Sequence, residues 1–150
     1  MAITGDRLTP PRLHPLHGLL LAATVPLFLG SLLSDMAYAM SYQVQWSNFA
    51  SWLTTGGLFF GGCALLWAIA TLVFSARHSG FTYPILLTLT WLLGFINALV
   101  HAKDAWASMP TGAVLSAIVF VLACASSWVG LARIGVGVDV GGKTSLGDQP

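Results

Sequence analysis

The sequence predicts an all-α fold, a four-helix bundle that crosses a membrane. Three observations predict it. Only 7% of the 150 residues are charged, against about 25% in an ordinary soluble domain. Hydrophobic residues make up 56% of the chain, and the mean hydropathy is +0.80. The few charges also stand far apart: residues 13–34, 36–76, 78–102 and 105–132 carry none. About 20 apolar residues suffice to cross the hydrocarbon core, so these stretches hold four spans. A chain this short cannot cover a soluble domain with so few polar groups. Six Lys and Arg against five Asp leave no basic footprint for nucleic acid.

The spans read as roughly 16–40, 49–74, 82–101 and 111–132. The first starts at His14-Pro15, since proline suits the first helical position, and it runs through Pro26. The break after it is uncharged. It shows as a polar run, Ser41 to Asn48, that reads as an interfacial turn with Ser47 or Asn48 capping the second helix. The second break is Ser75 to Gly80, and the third runs from Lys103 to Pro110, with Pro110 and Thr111 opening the last helix. The resulting organisation is a cytoplasmic segment 1–15, one transmembrane domain 16–132, and a flexible cytoplasmic tail 133–150 rich in glycine. A rival reading takes Arg7, Arg12, the apolar run Gly18 to Leu33 and Ala37-Tyr38-Ala39 as a signal peptide, which would leave a mature start at Met40.

Lys and Arg counts orient the chain. With four spans the termini and the second loop share a side, which holds Arg7, Arg12, Arg77, Arg133 and Lys143. The other side holds only Lys103, so both termini are expected in the cytoplasm. Cys63 and Cys124 lie inside spans and read as small packing residues. No convincing internal repeat is present.

Helical spacing then sorts the polar residues. His17, Thr24, Ser31 and Tyr38 recur on one face of the first span, and Asp35 shares it, five turns from His17. Thr90, Gly94, Asn97 and His101 share a face of the third span. Gly57 and Gly61 mark the second, with Gly56 and Gly62 beside them. Gly112, Ser116, Ala123, Ser127 and Gly130 mark the fourth. Small residues let helix backbones approach closely in lipid, so the four stripes are expected to meet inside the bundle.

Asp35 is the ionisable group deepest in the first two spans, and a carboxylate there needs a partner. The expected partners at the outer face are Asn97, His101 and Asp104. Trp46, Trp52, Trp106 and Tyr42 read as the aromatic belt. His17, His101, Asp35 and Asn97 are the candidate cofactor-binding residues, for haem b or a quinone head group. His14, His17 and His78, at the inner face, are the candidate metal ligands.

Leu13-His14-Pro15-Leu16-His17, leading into an apolar helix that ends in Leu33-Ser34-Asp35, resembles the opening of the bacterial membrane family called domain of unknown function 2231. Trp128-Val129-Gly130 followed by Gly135-Val136-Gly137-Val138 is similar to that family's end. The resemblance implies a small four-helix protein of the bacterial inner membrane with no established reaction. The family's frequent His-Phe-Pro is replaced by Ala23-Thr24-Val25-Pro26, so no ligand role carries over there.

For function, the sequence holds no nucleophile constellation, no Glu and no phosphate loop. It points to a non-enzymatic scaffold or anchor subunit that contacts the bilayer and a membrane or periplasmic partner, or a second copy of itself. The alternatives are a redox-linked subunit holding haem, quinone or a metal, and an oligomeric transporter or channel.

Overall fold

His14 opens the first helix. Its Nδ1 accepts the Leu16 backbone N–H at 3.3 Å, and Pro15 follows in the position where a missing N–H costs nothing. The computed structural model describes residues 14–74, 81–103 and 105–132. They form α1 (Pro15–Ser41), α2 (Val44–Phe74), α3 (Thr82–His101), a single turn α4 (Ala105–Ser108) and α5 (Thr111–Ala132). The four long helices are each long and apolar enough to cross a membrane. The break 75–80, with Arg77 and His78, lies outside the described residues, as do the terminal segments 1–13 and 133–150.

The first connection differs from the expected one. Tyr42 adopts a left-handed conformation (φ 54°) and donates its N–H to the Tyr38 carbonyl, which ends α1. Only Tyr42 and Gln43 separate the helices. The polar run is therefore largely helical. Ser47, expected as a cap, lies inside α2 and is buried. The reason is length: 31 residues at about 1.5 Å each exceed a hydrocarbon core of about 30 Å, so α2 carries its polar first turn out to the interface. Tyr42, Trp46 and Trp52 are exposed there.

Around the bundle, α1 packs against α2 and α5, and α3 packs against the same two. Successive helices run in opposite directions, so α1 and α3 are parallel and face each other across the interior. The first helix is thus an integral quarter of the bundle.

Packing is inverted relative to a soluble protein. Large apolar side chains such as Leu19, Trp52, Phe59, Leu66 and Trp128 point outward, toward lipid. The interior holds Ala, Gly, Ser and Thr, with a few large residues set into glycine gaps. Phe28 lies over Gly57, where a Cβ would come within 2.8 Å of the ring. Leu21 and Tyr83 both press on Gly130, each 2.9 Å from where a Cβ would stand. Lipid tails are as apolar as leucine, so this close fit, not water exclusion, holds the helices together. Some buried hydroxyls are satisfied along their own helices, as in Thr24 to the Leu20 carbonyl and Thr90 to that of Leu86.

A Gly57→Ala substitution should therefore overpack the interior and destabilise it by about 1–3 kcal/mol. Thermal unfolding in detergent measures this, and adding Phe28→Leu to the same chain should recover most of the loss.

Candidate functional site

The cluster expected around Asp35 forms. Asp35, fully buried near the end of α1, meets His101 at the end of α3, with Oδ1 2.7 Å from Nε2. Ser116 of α5 donates its hydroxyl to Oδ2 at 2.5 Å, and the Asn97 side-chain amide donates to Ser116 at 2.9 Å. His101 Nδ1 lies 2.9 Å from the Asn97 carbonyl, one turn back on the same helix. Gly112 makes room for the imidazole: a Cβ there would lie 3.2 Å from His101 Cε1.

The bonding pattern fixes the proton count. A carbonyl only accepts, so His101 Nδ1 carries hydrogen. Oδ2 accepts from Ser116. The 2.7 Å contact between Nε2 and Oδ1 then holds one proton, shared between an imidazole and a carboxyl group. Whichever group carries it, the pair has no net charge. That removes the main cost of a carboxylate inside a membrane.

A second cluster occupies the opposite end of the bundle. His17 Nε2 lies 2.6 Å from the Tyr83 hydroxyl, again linking α1 to α3. The rings of His14 and His17 both lie against Trp67, at 5.2 and 6.0 Å. Two buried atoms in these clusters have no hydrogen-bond partner: His17 Nδ1 and Asn97 Oδ1.

Of the candidates, Asp35, Asn97 and His101 are brought together, and His17 stands at the opposite end of the same interior face. His14 and His17 lie one turn apart, but each has a ring nitrogen committed, to the Leu16 N–H and to Tyr83. No group of three potential metal ligands occurs among the described residues. The third candidate, His78, lies outside them, and so does Asp104. Sequence spacing missed two participants. Tyr83 stands seven residues before Thr90, on the stripe that ends in His101, and extending that stripe by two turns would have found it. Ser116 reads as a small packing residue, and nothing in its spacing marks it as the donor to Asp35.

The class is now defined: an all-α membrane bundle whose buried polar groups bond across its interior. The family model described as a predicted membrane protein, domain of unknown function 2231, matches residues 13–141. The chain belongs to that family. No curated protein and no solved structure matches it.

Removing one partner of the pair should be costly. Asp35→Ala strands a buried imidazole and the Ser116 hydroxyl, and should destabilise the bundle by about 3–5 kcal/mol. Ser116→Ala, which removes one neutral donor, should cost only about 1–2 kcal/mol. Denaturant or steric-trap unfolding of the full chain in detergent or bicelles orders the two variants.

Proposed function

We propose that the protein is a non-enzymatic scaffold or anchor subunit of the bacterial inner membrane, holding a membrane or periplasmic partner in place. One observation carries this reading. The buried carboxylate has its bonding filled by His101 and Ser116, so the deepest ionisable group of the first two spans is engaged in joining three helices. Both termini face the cytoplasm in this reading, supported by the five basic residues on that side and the single Lys103 opposite. The large apolar side chains on the outer faces of all four long helices suit lipid and other membrane helices. The glycines at 57, 94, 112 and 130 are spent inside the bundle, so a partner helix would meet the large outward side chains instead.

A second reading rests on His17. Its Nδ1 is buried without a partner, beside His14 and Trp67. An unused imidazole nitrogen at the inner face fits a subunit that binds haem, a quinone or a metal there.

Two measurements test these readings. A visible spectrum, elemental analysis and lipid extraction of gently purified protein should show no Soret band, no stoichiometric metal and no quinone. Any of the three, lost in His17→Ala, would move the assignment to the second reading. Cysteines placed at Gln43 and at Gly142, with the native pair replaced, should react with a membrane-impermeant maleimide on opposite sides of the membrane. Labelling of Gly142→Cys in intact cells would overturn the orientation.

A further inference from the structure

The two long-range polar pairs between α1 and α3 share one register. His17 meets Tyr83 and Asp35 meets His101, each across 66 residues. The same offset links four further pairs of buried positions on these helices: Leu21 to Leu87, Thr24 to Thr90, Phe28 to Gly94, and Ser31 to Asn97. A second constant offset links α2 to α5. Ala50 pairs with Gly112, Thr54 with Ser116, Gly57 with Val119, Gly61 with Ala123, and Ala68 with Gly130. Exposed positions follow the same rule: Leu33 and Leu99, Phe59 and Val121, Leu66 and Trp128. The bonding repeats as well. Ser31 lies 2.6 Å from Thr54 within the first hairpin, and Asn97 lies 2.9 Å from Ser116, their counterparts, within the second.

We infer that the chain is two equivalent helical hairpins, α1–α2 and α3–α5, docked about a pseudo-two-fold axis along the membrane normal. The partner that each hairpin's inner face fits is another hairpin of the same pattern. The neighbour relations agree: a two-fold maps the α1–α2 contact onto α3–α5 and the α2–α3 contact onto α5–α1. A residue on such an axis touches its own counterpart, and the two cross-bundle pairs do so. The residue identities conceal this, because only Leu21/Leu87 and Thr24/Thr90 repeat among the buried α1–α3 pairs. The second hairpin also closes sooner, with 19 residues from Asn97 to Ser116 against 23 from Ser31 to Thr54.

The departures from symmetry at the axis have a physical reason. Two identical hairpins would set Asp against Asp or His against His there. Two buried carboxylates repel, and only a proton held between them makes the contact tolerable. One chain carrying both hairpins can instead set Asp35 against His101 and His17 against Tyr83, so that each docking contact is a hydrogen bond between unlike groups.

The equivalence makes a sharp demand. In the exchange variant D35H/H101D, made with A50G so that the relocated imidazole has the room that Gly112 gives His101, that imidazole has the Ser31 carbonyl one turn back, as His101 has that of Asn97. The relocated carboxylate has Thr54 where Asp35 had Ser116. The exchange should regain more than half of the melting-temperature loss of D35H alone. The role of the hydroxyl donor should also move. S116A lowers the midpoint in the native chain and has little effect in the exchanged one, while the cost of T54V rises on exchange. An S116A cost unchanged by the exchange overturns the proposal. Should the exchange variant fail to fold, spin labels on lipid-facing positions decide the matter. With Cys63 and Cys124 replaced by alanine, the label pair at Leu33 and Val121 and its counterpart at Leu99 and Phe59 should give coincident distance distributions in bicelles. Clearly separated peaks would contradict the two-fold.

Discussion

The structure depends on how one carboxylate is tolerated inside a membrane. Asp35 is fully buried near the end of a 27-residue helix, where an isolated charge would cost several kcal/mol. It is accommodated because His101 reaches it from the opposite helix, and one proton serves both groups. That contact sets much else. It requires α1 and α3 to be parallel and in register, it requires Gly112 so that the imidazole fits, and it draws Ser116 and so α5 into the same cluster. Three of the four long helices are tied at that point.

The opposite end of the bundle repeats the arrangement with different groups. His17 and Tyr83 lie 18 residues before Asp35 and His101 on their helices, about 27 Å along each axis and close to the thickness of the hydrocarbon core. Between them the interior is filled by small residues and by Phe28 and the leucines at 21 and 87, fitted by shape. Directional bonds at the ends fix register, and close packing between them supplies contact area.

Much of this was legible in the residues. Charge distribution placed the spans, because the bilayer punishes charge more strictly than it rewards any side-chain pattern. Asp35, Asn97 and His101 were legible as one cluster because helical periodicity places the first on one stripe and the others on a second, at matching depth. The start of α2 was not legible. A polar run at an interface is compatible with helix or turn, and the left-handed Tyr42 that decides it carries no glycine or asparagine to announce it. Ser116 was hidden because a serine that packs and a serine that donates look alike. The pairing of the hairpins was hidden for a deeper reason: what repeats is position, burial and bond pattern, while most residue identities differ.

A double-mutant cycle on Asp35 and His101 tests the central claim most directly. The free energy of unfolding of the full chain would be measured for the native protein, D35N, H101Q and D35N/H101Q under identical bicelle conditions. If the two groups share one proton across the bundle, the losses are strongly non-additive, and the double variant is little worse than either single one. Additive losses would mean that each residue is held by its own helix, and that the contact between α1 and α3 is not what the bundle depends on.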